Sequence, residues 1–233
     1  MSNRNTSGTL TTLMFSHWHR ASLMSGVAYA LAQLGAFVFF AIAILPRFAP
    51  IDAAPLARAA AIKNLGETLR VGNFLIVLPV PLFLFFVGGA FSLLRRLLPQ
   101  SDVLAATALA AGAAMALMWP LGAVISDLEL DLAQASGDAM TVSVLDAIAP
   151  YSLALSAFAR AVLVAALSVP LVRLDGSRKW TGWSGLVVAV LSLLGTLTLV
   201  AGAAFPMLAL STLLFDVWLL VLCLVFLRTP LPD

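Results

Sequence analysis

Charge is what this chain has least of. Only 10% of its 233 residues are charged, against roughly 25% in a soluble domain. A water-soluble core of this size cannot hide the 62% that are hydrophobic, and the mean hydropathy of +1.05 marks a protein integral to a membrane. Cysteine is nearly absent. Cys223 stands alone, so there is no intrachain disulfide and no Cys-x-x-Cys pair for zinc or redox work. The two histidines, His17 and His19, both lie near the N-terminus. No apolar run carries one, which excludes bis-histidine haem ligation within the chain. GxSxG, phosphate-loop and HExxH signatures are missing as well. The pI of 9.1 does not argue for nucleic acid, because the basic residues gather at the edges of the apolar runs. The expectation is a chain with no cofactor, no metal and no nucleic-acid partner, surrounded by lipid.

What the sequence does have is long apolar runs. Roughly 20 apolar residues cross a bilayer. Six segments qualify, at about 21–45, 71–94, 103–125, 150–172, 183–203 and 206–227. The last two form one block split only by Gly202 and Pro206. Five spans are therefore the alternative, although the block is too long for a single crossing. The first run is longer than the core of about 7–15 residues in a cleaved signal peptide and reads as a retained span. The expected fold class is all-α. It is a polytopic transmembrane helix bundle of six spans over 21–227, between tails at 1–20 and 228–233.

Loop charges set orientation through the positive-inside rule. One side collects Arg4, Arg20, Arg95, Arg96, Arg173, Arg178, Lys179 and Arg228; the other has Arg47, Arg58, Lys63 and Arg70. Eight against four places both termini in the cytoplasm and the protein in the inner (plasma) membrane as a multi-pass chain. Trp18, Trp180 and Trp183 then fall at the inner interface, where indole rings tend to sit. The two halves are antiparallel by span count, as in inverted-repeat transporters, but no residue-level match links them.

Two charges interrupt the apolar runs: Arg160 in AFARAVLVAAL and Asp216 in TLLFDVWLLVL. Charge inside hydrocarbon is costly, faces the bundle interior and seeks a partner. Arg160 precedes Arg173 by 13 residues and Asp216 precedes Arg228 by 12, so the two lie at matching depth and each is the obvious partner of the other. Gln33 and Ser192, each 13 residues from a basic marker, reach the same level. Ser152, Ser156, Arg160 and Ser168 form a stripe on the fourth span, and Thr212 and Asp216 on the sixth. The candidate ligand or ion-pair residues are thus Arg160, Asp216, Gln33, Ser192, Ser156 and Thr212. Pro79 and Pro81 should kink the second span at comparable depth. The constellation has two readings. It is a structural latch fixing which helices are neighbours, or a site for an ion, a proton or a polar ligand.

The remaining signals are weaker. His17-x-His19 lacks a third metal ligand. The acidic stretch SDLELDLAQASGD puts Gly137 in the wrong place for an EF-hand and reads as a solvated acidic face. The first outer loop is helix-forming, with Ile62, Leu65 and Leu69 on one face. It suits either an interfacial amphipathic helix or an extension of the second span. Small residues four apart, as at Gly26 and Ala30, suit close contacts within the bundle or with another subunit.

The lead into span one (HRASLMSGVAYAL) and the entry into span five (RKWTGWSGLVVAVLSLLGTLTLV) carry a resemblance. In overall organisation the chain resembles a group of small, uncharacterised bacterial integral membrane proteins of about six spans. The resemblance implies the fold and supplies no catalytic residue. The expected role is a non-enzymatic accessory, assembly or envelope-associated protein, with a homo-oligomer or a membrane complex as its protein partnership. The alternative is a small secondary transporter or ligand-binding protein using Arg160 and Asp216. An enzyme acting on lipid lacks a second carboxylate, histidine or reactive thiol beside Asp216.

Overall fold

A computed structural model describes residues 6–50, 53–97, 102–135 and 138–228. Arg4, Gly137 and all of the C-terminal tail beyond Arg228 lie outside the described residues, as does Asp52 at the start of the first outer loop. Among the described residues there is no strand. Six helical segments are long and apolar enough to cross a membrane: His17–Arg47, Glu67–Arg96, Asp102–Gln134, Ala139–Leu171, Ser177–Leu199 and Phe205–Arg228. The five-span alternative therefore falls.

Helix α1 (Thr6–Phe39) runs on through residues expected as a polar tail. It ends in a π turn, Phe40–Ile44, and a 3-10 turn, Leu45–Arg47, that contains Pro46. Two short helices follow, α2 (Pro55–Leu65) and α3 (Glu67–Val77). Pro55 starts α2, where its fixed φ suits the first turn. Gly66 separates the pair with a φ of 48°, a left-handed conformation that glycine adopts without steric penalty. The second span is completed by α4 (Val80–Leu97), and the break falls at Leu78 and Pro79. Pro79 and Pro81 each lack the N–H that would continue the ladder, which is why the helix parts there.

Helices α5 (Asp102–Gln134) and α6 (Ala139–Leu171) have 33 residues each, roughly 50 Å at 1.5 Å per residue. A hydrocarbon core is about 30 Å thick, so the pair projects beyond it as a helical hairpin. The bundle closes with α7 (Ser177–Gly195) and α8 (Phe205–Arg228), joined through 3-10 turns at Thr196–Leu199 and Gly202–Ala204. Neighbours run α1–α4–α5–α6–α7–α8 and back to α1, with α6 also touching α4 and α8. The main apolar core, including Phe83, Phe86, Met115, Leu163 and Phe215, lies between them.

The projecting hairpin carries a second, smaller core of Ile44, Ile62, Leu65, Leu69, Leu130, Ala133 and Val142. The apolar face of the first outer loop is thus packed on protein, not laid on a lipid interface. The expected solvated acidic face is met only in part: Asp131 and Asp138 are exposed, but acids of this hairpin also bind α2 and α3. Asp131 accepts from Arg70 at 2.7 Å, Asp127 from Asn73 at 2.9 Å, and Asp146 from Arg58. Glu129 is buried. The reason is helical phase. These acids lie on the extended ends of α5 and α6, and their spacing turns them towards α2 and α3. Asp138 caps α6, accepting from the Thr141 N–H at 3.1 Å. That backbone bond, with one from Met140, holds the Asp138 carboxyl below the usual carboxylate range.

Candidate functional site: a buried polar centre

Arg160 projects from α6 into the contact of α6, α7 and α8, where it is fully buried. Its stem is long enough to reach one turn along α8. There the guanidinium spreads its planar fork over three hydroxyls. Nε donates to Ser192 Oγ of α7 at 3.1 Å, one terminal nitrogen to Thr212 Oγ1 at 2.6 Å, and the other to Ser211 Oγ at 2.8 Å. Its face lies 5.9 Å from the centre of the Phe215 ring, a cation–π distance. The hydroxyl bookkeeping is consistent. Ser211 and Thr212 each donate their own proton to the Leu208 carbonyl, at 2.9 and 2.8 Å, which leaves oxygen lone pairs for Arg160. A hydroxyl that bonds back to its own helix is thereby turned into an acceptor for a neighbouring helix.

The direct pairing of Arg160 with Asp216 is not among the ion pairs of the described residues, which are all at the membrane edges. Asp216 is buried one turn further along α8, and its Oδ2 has no hydrogen-bond partner. The two charges act on each other through space, without contact. Depth counting placed them at one level. It could not show that the guanidinium would turn towards the hydroxyls.

Four further candidates are sorted by the structure. Ser192 and Thr212 join Arg160 as expected acceptors. Ser156 is buried on α6 but donates to the Leu153 carbonyl of its own helix at 2.7 Å. Gln33 is buried too, and its amide Nε2 donates at 3.0 Å to the Ile76 carbonyl at the break between α3 and α4. Its Oε1 has no partner. Gln33 therefore braces the break in the second span, and the hydrogen bonds of Arg160 go to Ser192, Ser211 and Thr212 instead. Level alone did not say which way it faces around α1.

Sequence reasoning missed Ser211, Phe215 and Tyr29. Ser211 was legible as the neighbour of Thr212, since an arginine fork can take two adjacent hydroxyls. Tyr29 stands one turn before Gln33 on α1 and is buried; its phenol interacts electrostatically with both Asp216 and Arg160. Its ring centre is 4.8 Å from that of Phe83, which in turn is 6.4 Å from Phe215. The aromatic residues thus link α1, α4 and α8 around the charges.

Asp216 and Glu129 are the buried acidic side chains among the described residues, and Glu129 belongs to the hairpin. Among the described residues no three His, Cys, Asp or Glu side chains come together as a cation site would need. Two grooves are lined by α1 and α4, one of them also by α6 and α8, and neither is lined by a residue of the polar centre. What the centre offers chemically is a guanidinium with three of its five N–H groups engaged and one carboxylate oxygen open to a proton or a donor. Fold and site together define a multi-pass, all-helical membrane protein with a buried arginine cradle. Comparison with family models, with curated proteins and with solved structures finds no match.

Proposed function

We propose that this chain is a non-catalytic multi-pass protein of a bacterial plasma membrane, with both termini in the cytoplasm, serving as an accessory or envelope-associated subunit. Its polar centre fixes the register of α6, α7 and α8. The observation that supports this reading is that each of the three guanidinium nitrogens donates to a hydroxyl of α7 or α8. Two of the five N–H groups take no part in these bonds, but neither groove described above is lined by Arg160. Polar groups of this kind join membrane helices where hydrocarbon offers no other partner.

The test is thermal unfolding of Arg160→Met and Arg160→Lys in detergent. Methionine removes all three bonds at similar volume; lysine keeps the charge but loses the planar fork. The structural role requires a clear loss of stability in Arg160→Met, with at most partial recovery in Arg160→Lys. An Arg160→Met protein as stable as the parent sinks the proposal.

A second reading is favoured by the open Oδ2 of Asp216 beside Tyr29. There Asp216 carries a proton or faces a polar ligand in a small transporter. Asp216→Asn separates the readings. It leaves a structural protein working in its assembly, and it abolishes any pH-driven uptake into vesicles.

A further inference from the structure

At the end of the bundle where the first span begins and α4 ends, a groove of about 230 Å3 runs between α1 and α4. Trp18, His19 and Ser22 of α1 form one wall, and Phe85, Ser92 and Arg96 of α4 the other. Its floor is glycine. A Cβ at Gly89 would run into the Ser22 side chain, so the two helices meet there at backbone distance. A Cβ at Gly88 would meet nothing within 4 Å, so that position opens into the groove. Trp18 and Phe85 face each other edge-on, with ring centres 6.1 Å apart, and both are exposed.

We propose that this groove binds an anionic phospholipid, with the phosphate held by Arg96 and His19. Three observations carry the proposal together. First, the chemistry is complementary to a phosphodiester: the Arg96 guanidinium, the His19 imidazole and the Trp18 indole line one opening, while the Ser22 and Ser92 hydroxyls donate to the His19 and Gly88 carbonyls of their own helices. Second, the position is an interface. Trp18 is 60% exposed, and indole rings of this kind sit at headgroup level. Third, the groove continues into lipid. Leu82, Phe85, Gly89, Ser92 and Arg96 fall at alternating spacings of three and four, one stripe of α4. The stripe passes from charge through hydroxyl and glycine to exposed apolar side chains, with Leu82 38% and Phe85 42% exposed. A free phosphate would use the upper half of this stripe and waste the lower. A lipid uses both, laying its headgroup at Arg96 and a chain along Phe85 and Leu82.

The surroundings reinforce the sign of the ligand. Leu171 and Phe226 line a crevice with His19, which puts the ends of α6 and α8 at this same end of the bundle. Arg173 follows α6, Arg178 and Lys179 lie in the first turn of α7, and Arg228 closes α8. Of the two neighbouring arginines at this end of α4, Arg96 lines the groove and Arg95 does not. Basic pockets between helices at this level suit anionic headgroups.

The test uses the full chain in neutral detergent and follows the unfolding temperature during titration with phosphatidylglycerol, with phosphatidylcholine of the same chains, and with inorganic phosphate. Phosphatidylglycerol should raise the unfolding temperature at concentrations where the other two leave it unchanged. Arg96→Gln should raise the half-maximal concentration about 5-fold, the weight of one basic residue near an anionic headgroup. Gly88→Leu should shift it at least as far by filling the groove while every charge stays in place, and the open space at Gly88 lets the protein fold normally. Arg173→Gln, an exposed charge at the same end, should leave it unchanged. Equal responses to both lipids overturn the proposal. So does a response to phosphate alone, which would mark a free-anion site. So does a loss in Arg173→Gln matching that in Arg96→Gln, which would mark diffuse surface charge.

Discussion

The buried polar centre and the projecting hairpin both use arginine, in opposite ways. Arg58 and Arg70 meet carboxylates directly, at Asp146 and Asp131, with water at hand. The Arg58–Asp146 pair is half-buried, with side chains 14% and 19% exposed; Arg70 and Asp131 stand at 42% and 59%. Arg160 has no water and does not take the nearest carboxylate. It takes three neutral hydroxyls that are already anchored to a backbone carbonyl or packed within α7. The difference teaches how a charge is accommodated at each depth. Near water, an ion pair need only be close, because solvent completes the hydrogen bonding. In the interior no solvent completes the bonding, and the fork engages one acceptor per nitrogen across α7 and α8, more directions than a single carboxylate offers.

The comparison can be broken first at the centre. Ser192→Ala, Ser211→Ala and Thr212→Val together strip the fork of its acceptors and leave Arg160 in place. The expected loss is about 3 kcal/mol, from hydrogen bonds to a charged group, read as a fall in unfolding temperature that does not change with added salt. A triple variant that unfolds like the parent would mean that Asp216 and the Phe215 ring hold the charge without the cradle.

The hairpin should respond less. Arg58→Ala is expected to cost about 1 kcal/mol, and the difference from the parent should shrink in high salt, because the pair is partly open to solvent. A salt-independent loss equal to that at the centre would erase the distinction between the two regions. Arg70→Ala, more exposed still, should cost less than Arg58→Ala in the same assay.

The smallest effect is at Asp138. Its carboxyl is held below its ordinary value by the Thr141 backbone N–H, so the cap stabilises the fold above the usual carboxylate range and fades as pH falls through the lowered value. Asp138→Ala should therefore unfold slightly earlier than the parent at neutral pH, and the two curves should coincide in strong acid. A gap that persists in acid would assign the effect to something other than the cap.

How much of this was legible beforehand depends on what kind of information a feature needs. The six crossings follow from apolar length alone, and the parting of the second span follows from Pro79 and Pro81, which remove donors wherever they stand. Arg160 and Ser192 were found because depth along a helix can be counted, and Thr212 because it stands four residues before Asp216 on one face of α8. Direction around a helix cannot be counted so simply, and that is where the reading failed. Gln33 faces Ile76, and Arg160 faces Ser211 and Thr212, with Asp216 left at a distance. The hairpin was misjudged for another reason. Charges between two apolar runs were taken as a loop, while the helices run on past the membrane and use those acids to bind α2 and α3.

One consequence of the parted second span concerns what it cannot do. A helix opened by proline exposes a carbonyl, and such carbonyls serve as ion ligands or as pivots in transporters. Pro79 and Pro81 cannot donate to the Leu75 and Val77 carbonyls four residues before them, and the Gln33 amide, reaching over from α1, takes the Ile76 carbonyl that lies between. The joint works like a dowelled corner in a frame: it sets the angle between two pieces, and the dowel would have to be drawn before either could swing.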